Sequence, residues 1–285
     1  MLGKLIKHEI IADTRIFLPS YVAVLVVALM GRFLTWLSTR KYIVDHASYS
    51  FSHIIQWASS LLSVIYFLLF VGVIFLTVFY VIYRFYKNYF TDEGYLMMTL
   101  PTKTTTLVTS KFLTAVIWLV VGGLVTMLSI YITLGHVEAI QNLIKELKDT
   151  ISLILTTNEN LFEDYLGVPT GVFIFELAII FVVAGARFIL SWYFSIAFGQ
   201  LIAKDHKIAG AVLSFLAIDI ATQILTIIFL NAETSVLSNF ITDIGTNTGH
   251  AMQSIIIGAI VFLLILIAVM FGLTCRIMNR KLNLD

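Results

Sequence analysis

The amino-acid sequence predicts an all-α membrane protein that crosses the bilayer six times. Of its 285 residues, 59% are apolar and only 12% are charged, whereas a soluble domain has about 45–50% apolar and about 25% charged residues. Six runs of about 20 residues are nearly free of charge, which is the length that a helix needs to cross the hydrocarbon core. The chain has only three prolines, a composition that fits long helices. We therefore expect a single transmembrane domain over residues 1–285.

The six predicted spans lie at about 17–37, 61–83, 112–134, 171–202, 209–230 and 252–275. Each run is apolar on nearly all sides, as a helix surrounded by lipid must be. It is expected to be helical because backbone groups in hydrocarbon can only be satisfied within the helix. The fourth run is longer than one bilayer requires. It either tilts in the membrane or begins as an interfacial helix after Pro169.

Residues 1–16 are expected to form an uncleaved amphipathic helix in the cytoplasmic interface. A signal peptide is the alternative, because Lys4 and Lys7 precede an apolar run. However, Glu9 and Asp13 interrupt the positive charge, and no small-residue cleavage site follows. The leucines and isoleucines recur at helical spacing, which is typical of a helix that lies on the membrane surface.

The distribution of basic residues predicts that both termini are cytoplasmic. In this orientation five Lys and Arg residues lie outside and Arg187 lies within a span. Cytoplasmic connections of membrane proteins carry an excess of Lys and Arg. The remaining twelve lie inside: Lys4, Lys7, Arg15, Arg84, Lys87, Lys103, Lys111, Lys204, Lys207, Arg276, Arg280 and Lys281.

The cytoplasmic connection at 84–111 contains the most specific pattern in the chain. Thr91 can cap a short helix with Asp92 and Glu93 at its positive end, and Leu100-Pro101 would end that helix. With exposed Tyr, Leu and Met side chains, this helix is too apolar to face water alone. One interpretation is an interfacial helix packed against lipid head groups, and the other is a helix that docks into a soluble partner.

This connection resembles the loop between the second and third spans of small ABC exporter permeases of Gram-positive bacteria with the six-span type V (type-2 exporter) fold. The resemblance rests mainly on four stretches within residues 84–111, a segment that makes up about a tenth of the chain, and span count and loop lengths agree along the rest. The stretches are Arg84-Phe85-Tyr86-Lys87-Asn88, Asp92-Glu93-Gly94-Tyr95-Leu96-Met97, Thr99-Leu100-Pro101 and Ser110-Lys111. The Lys-rich amphipathic N-terminus and the stretch Ser195–Leu201 look similar too.

The resemblance implies that this chain supplies half of a translocation path in the cell membrane and pairs with a second copy or a sister permease. A separate cytoplasmic ABC ATPase would bind ATP and Mg²⁺, and this chain would carry no cofactor. The family's coupling helix corresponds to about Thr91–Thr99. The residues expected to contact the ATPase are Asp92, Glu93, Tyr95, Leu96 and Met97. The substrate would be hydrophobic or amphipathic, for example a peptide antibiotic or a lipid-like compound.

The extracellular connection at 135–170 is the longest outside the membrane. Its apolar residues step by three or four over 137–155, which predicts an amphipathic helix. This helix either lies on the outer leaflet and caps the bundle, or forms a gate or a surface that receives substrate.

Arg187 in the fourth span and Asp219 in the fifth are the clearest ionisable residues at depth. Such residues are costly in hydrocarbon and should face protein or water. Counting helical rise from the cytoplasmic ends places them close enough to pair. They therefore form either a structural ion pair or a polar lining of the path. Glu176 and Arg32 lie nearer the outer interface, where snorkelling would explain them.

Other chemistry has little support in the sequence. There is no phosphate-loop motif G-x-x-x-x-G-K-[ST], so ATP hydrolysis by this chain alone is not expected. No catalytic or metal-binding set is recognisable, the single cysteine excludes an internal disulfide, and a net charge of +1 gives no reason to expect nucleic acid. The alternatives to an ABC permease are an ATP-independent carrier or membrane scaffold and, with least support, an intramembrane enzyme.

Overall fold

The structure, a computed structural model, describes residues 2–39, 49–91, 94, 102–134, 145, 170–202, 206–244 and 248–280. Nearly all of these residues are helical, and none of them lies in a strand. The helices are α1 (Leu2–Thr39), α2 (Tyr49–Phe90), α3 (Thr104–Leu134), α4 (Thr170–Ile202), α5 (Lys207–Ile244) and α6 (Thr248–Arg280).

The all-α polytopic fold is confirmed. Each of the six helices is long and apolar enough to cross a membrane. Their exposed faces carry large apolar side chains, whereas several hydroxyl side chains are buried between helices and donate back to their own helix backbone. This arrangement suits a helix bundle in lipid, where small polar residues allow close packing. Examples of the exposed residues are Leu29, Phe67, Met127, Phe175, Ile228 and Leu264, and of the buried ones Ser110, Ser129, Ser195 and Thr274.

Helix α1 is continuous from Leu2 to Thr39, so the backbone does not separate an N-terminal helix of residues 1–16 from the first span. Pro19 lies inside α1 and has no N–H to donate to the preceding turn. The hydroxyl of Ser20 lies 3.1 Å from the carbonyl of Ile16 and 2.8 Å from that of Phe17. The carbonyl that loses its helical donor at Pro19 is that of Arg15, one turn earlier, and α1 nevertheless continues without a break to Thr39.

Two helices extend well beyond the spans that the sequence predicts. Helix α2 begins at Tyr49 rather than near 61, and α5 continues to Ile244 rather than ending near 230. A charge-free window detects only the part of a helix that suits hydrocarbon, while backbone hydrogen bonding continues through polar residues. At about 1.5 Å per residue, α2 is about 63 Å long, roughly twice the hydrocarbon thickness.

The chain divides into two compact units. Unit 1 comprises Gly3–Tyr80 and Ile117–Glu146. An aromatic cluster joins its three helices: Phe17 and Tyr21 of α1 stack with ring centroids 5.8 Å apart, and Phe17 also contacts Tyr80 of α2 and Trp118 of α3. Phe17 is completely buried, so this cluster forms the core of unit 1.

Unit 2 comprises Val81–Val116 and Leu147–Asp285. Within it α4 packs along both α5 and α6, and the latter two also contact each other. Trp192 of α4 stacks on Phe215 of α5 with centroids 3.8 Å apart, and Phe229 of α5 stacks on Phe262 of α6 at 4.4 Å. These stacked rings hold the three helices in register.

The backbones of α4 and α5 are in close contact at Gly199 and Ala211. A Cβ atom on Gly199 would lie 2.5 Å from the backbone nitrogen of Ala211. Only glycine fits at this crossing, which gives a physical reason for a glycine in the stretch Ser195–Leu201. The helix expected over 137–155 lies outside the described residues, apart from Lys145.

Candidate functional site

Arg187 and Asp219 form an ion pair between α4 and α5. The Nη2 of Arg187 donates to Oδ1 of Asp219 at 3.1 Å, and the two side chains are only 14% and 22% exposed. By helical rise, Arg187 lies about 22 Å from the end of α4 and Asp219 about 18 Å from the start of α5. The arginine side chain covers the difference in height.

Two further side chains complete the pair. The Nη1 of Arg187 donates to Oγ1 of Thr222 at 2.8 Å, and Nε2 of Gln223 donates to Oδ2 of Asp219 at 2.7 Å. Both carboxylate oxygens and both terminal nitrogens of the guanidinium therefore have partners, which reduces the cost of holding the charges in a low dielectric. Sequence reasoning missed Thr222 and Gln223, although they follow Asp219 by three and four residues, the spacing of neighbours on one helix face.

The five residues expected to contact an ATPase, Asp92, Glu93, Tyr95, Leu96 and Met97, lie outside the described residues. The structure does describe Thr91 and Gly94, and both flanking helix ends. How unit 2 holds this segment, which we name the docking segment (Thr91–Thr99), can therefore be read from the residues around it.

Gly94 fixes the start of the docking segment against the end of α2. Its N–H donates to the carbonyl of Thr91 at 2.7 Å, and a Cβ atom at this position would lie 2.6 Å from the carbonyl oxygen of Tyr89. The Thr91 hydroxyl donates to the Lys87 carbonyl at 2.5 Å, so it closes the last turn of α2. A tight glycine turn thus leads directly from α2 into the segment.

The last turns of α2 are packed firmly onto α4. Phe85 is completely buried and stacks on Tyr193 with ring centroids 3.8 Å apart and planes inclined by 8°. Tyr89, also fully buried, contacts Phe85 edge-on at 5.1 Å. The helix end that carries the docking segment therefore shares an aromatic core with α4.

The start of α3, on the other side of the docking segment, is anchored in the same unit. Lys111 is 95% buried. Its ammonium donates to the side-chain oxygen of Asn88, whose amide nitrogen donates to the carbonyl of Arg84 at 3.3 Å. The Thr104 hydroxyl donates to the side chain of Asn279 at the end of α6. The position of Lys111 at the start of the third span was predicted, but its burial and its contact with α2 were not.

These contacts place the ends of α2, α4 and α6 and the start of α3 together at one end of unit 2. The docking segment connects two helix termini that are both anchored at this end. We name the residues that make these contacts the mount. They are Arg84, Phe85, Asn88, Tyr89, Gly94, Thr104, Lys111, Tyr193 and Asn279. Sequence reasoning recognised the motif residues on α2 and α3, but not their partners on α4 and α6.

At the opposite end of unit 2, Glu176 of α4 has a partner on α6. Its carboxylate accepts a hydrogen bond from the amide of Gln253. The carboxylate of Glu233 on α5 lies directly against Gly258 of α6. Snorkelling is therefore not needed to explain Glu176, and glycine at 258 makes room for a carboxylate between the helices.

Within the ranges that the structure describes, no three His, Cys, Asp or Glu side chains are grouped so that they could hold a metal ion. Comparisons of the chain with models of protein families, with curated proteins and with solved structures found no match. The function of the chain is therefore inferred from its own residues.

Proposed function

We propose that this chain is the membrane subunit of an ATP-driven exporter of the ABC class. It forms half of a translocation path and binds a separate ATPase through the docking segment. The proposal places the chain in the cell membrane with both termini in the cytoplasm, paired with a second copy or a sister permease. ATP and Mg²⁺ bind to the ATPase.

The observation that carries this proposal is the mount. A segment that only rests on lipid head groups needs no firm attachment, whereas a segment that transmits force must be joined rigidly to the helices it moves. The mount joins the docking segment to α4 through Phe85 and Tyr193, and to α6 through Thr104 and Asn279. The resemblance of the connection at residues 84–111 to the exporter permease loop supports the same function.

The mount suggests how force would reach the path. When the ATPase pushes on the docking segment, the Gly94 turn and the end of α2 move together, because there is no free space between Gly94 and Tyr89. The stacked rings of Phe85 and Tyr193 pass this displacement to α4. Packed interiors transmit small shifts because they have few voids to absorb them.

The charges within unit 2 fit a hydrophobic or amphipathic substrate. Arg187 and Asp219 compensate each other, and Thr222 and Gln223 bond the second terminal nitrogen of Arg187 and the second carboxylate oxygen of Asp219. The pair therefore presents little net charge to a molecule that passes along α4 or α5. A greasy path of this kind suits a peptide antibiotic or a lipid-like compound.

Affinity purification in mild detergent tests the proposal directly. The chain is purified from its native membranes, any co-purifying ATPase is identified by its hydrolysis of ATP, and the wild type is compared with a Glu93→Arg, Leu96→Asp double variant. The wild type is expected to retain the ATPase. The double variant should lose it while still eluting as a folded membrane protein, because both changes lie in the docking segment.

A His206→Glu variant serves as the matched control, because His206 is exposed and lies in the connection between α4 and α5. It should bind the ATPase as the wild type does. If neither the wild type nor the control retains an ATPase, even after cross-linking in the membrane, the proposal fails. An ATP-independent carrier or scaffold then becomes the better description.

A further inference from the structure

Unit 1 contains a pocket of about 300 Å³ that the proposed function does not use. It lies among all three helices of the unit, where α1 and α3 approach their ends and α2 its beginning. Its polar lining includes Arg32 of α1, Ser59, Ser60 and Ser63 of α2, and Thr133 of α3, and its apolar lining includes Leu62. A cavity that combines one cation, several hydroxyls and apolar side chains is suited to an amphipathic ligand.

Arg32 is the only ionised group among the lining residues. Its Nη1 donates to the carbonyl of Ile132 at 3.3 Å, in the last turn of α3. No carboxylate pairs with it in the ranges that the structure describes. An exposed guanidinium with one hydrogen bond to a neutral carbonyl retains several N–H groups, which match the oxygens of a phosphate.

Arg32 supplies hydrogen-bond donors, whereas the serine and threonine hydroxyls of the pocket supply acceptors. Ser59 and Ser60 both donate to the carbonyl of Gln56, Ser63 donates to that of Ser59, and Thr133 donates to that of Ser129. Since these hydroxyl hydrogens are engaged with the helix backbone, the oxygens are left as acceptors. The pocket therefore pairs one strong donor with several acceptors.

The surroundings of the pocket are apolar and face outward. On α1, Leu29 is 55% exposed and Phe33 is 59% exposed, and on α2, Leu61 and Val64 are similarly exposed. These side chains flank the polar lining residues in sequence and can lie along an acyl chain. A volume of this size accommodates a phosphate with a small attached group rather than a large sugar.

We propose that this pocket binds the head group of a phospholipid, in which the phosphate pairs with Arg32 and hydroxyls of the head group donate to the serine and threonine oxygens. Phosphatidylglycerol combines both features, because it is anionic and carries two hydroxyl donors. Phosphatidylcholine has the phosphate but lacks hydrogen-bond donors, so it should bind more weakly.

Native mass spectrometry of the delipidated full chain, titrated with dioleoyl phosphatidylglycerol, tests this site. Arg32→Gln removes the cation, and is expected to weaken binding of one lipid about tenfold or more, the usual loss for a charge-assisted contact. Gly31 also lines the pocket, so Gly31→Leu leaves the charge in place but adds bulk there, and should have the same effect. A Cβ atom at Gly31 meets nothing within 4 Å, so the added side chain enters open space.

Two matched controls separate the site from general effects. Arg276→Gln removes an exposed arginine near the end of α6, and Gly72→Leu adds a side chain at another open glycine, on α2. Both should bind phosphatidylglycerol as the wild type does. If Arg32→Gln and Gly31→Leu also bind it unchanged, the pocket is not a lipid site and the proposal is overturned.

Two further ligands identify the source of the phosphate and the part played by the hydroxyls. Glycerol 3-phosphate is expected to bind far more weakly than the lipid, because it lacks the acyl chains. If it binds as tightly, the ligand is a soluble phosphate compound and the assignment to a lipid is wrong. If phosphatidylcholine equals phosphatidylglycerol, selection by the hydroxyl oxygens is wrong.

Discussion

At the scale of single residues, the best-defined polar feature is the ion pair of Arg187 with Asp219. Its two interpretations, a structural pair and a lining of the path, make different demands. A structural pair should have its charged atoms bonded within its own helices, as both terminal nitrogens of Arg187 and both carboxylate oxygens of Asp219 are here. A path lining should offer free groups to the substrate. The observed network favours the structural role.

A double-mutant comparison separates the two roles. Arg187→Leu alone leaves Asp219 without its counter-ion and should destabilise the protein by about 2–3 kcal/mol, somewhat less than the loss for a fully buried pair. Arg187→Leu with Asp219→Leu removes both charges and should recover most of that stability. Thermal unfolding in detergent measures both variants. A double variant that unfolds normally but no longer transports would instead assign the pair to the path.

The depth of Arg187 and Asp219 along their helices was predictable from the sequence, since helical rise is constant and the span ends are marked by charge. Their additional partners were not, because Thr222 and Gln223 are ordinary helix residues until the rotation of α5 against α4 is known. The contact of Gln253 on α6 with Glu176 on α4 was not predictable either, because nothing in the sequence distinguishes Gln253.

At the scale of elements, the mount depends on how the end of α2 packs on α4. Phe85 and Tyr89 are both fully buried, and Phe85 stacks face to face on Tyr193. This contact joins residues that are far apart in the chain, and no periodicity in either helix indicates it. The motif around Arg84–Asn88 was recognisable from the sequence, but its attachment to α4 required the fold.

Phe85→Leu tests whether this attachment transmits force. Losing the stacked ring should lower stability by about 1–2 kcal/mol, from the aromatic contact and imperfect repacking. The ATPase should still bind, because the docking segment is unchanged, but its hydrolysis should no longer respond to the membrane subunit. Hydrolysis by the purified complex is the measurement.

The matched control for this variant is Phe79→Leu on the same helix, because Phe79 is 64% exposed and outside the mount. It should leave both stability and hydrolysis unchanged. Equal effects of the two variants would mean that the stack on Tyr193 has no special part in coupling.

The helix limits illustrate what sequence patterns can determine. All six helices were predicted, because a run of apolar residues that lacks charge has few other stable structures in a cell. Helices α2 and α5 extend well beyond the predicted spans, because helical hydrogen bonding continues into polar sequence. Pro19 lies inside α1, and the helix continues through it to Thr39.

At the scale of the whole molecule, the two units differ in the sites that they contain. Unit 2 contains the mount, the ion pair and both termini of the docking segment, whereas unit 1 is organised around an aromatic cluster and the pocket at Arg32. In our account, unit 2 receives force from the ATPase, and unit 1 contacts lipid. The role proposed for unit 2 depends on contact between the docking segment and an ATPase.

Site-specific cross-linking detects this contact. Cys275 is the only cysteine in the chain and is buried, so a Cys275→Ser background provides a cysteine-free protein. Leu96→Cys in this background places one thiol in the docking segment, and His206→Cys places one in the connection between α4 and α5. We predict that a short thiol-to-amine cross-linker joins position 96 to the ATPase in native membranes, with little product from position 206. Cross-linking from 206 but not from 96, or from neither position, would contradict the account.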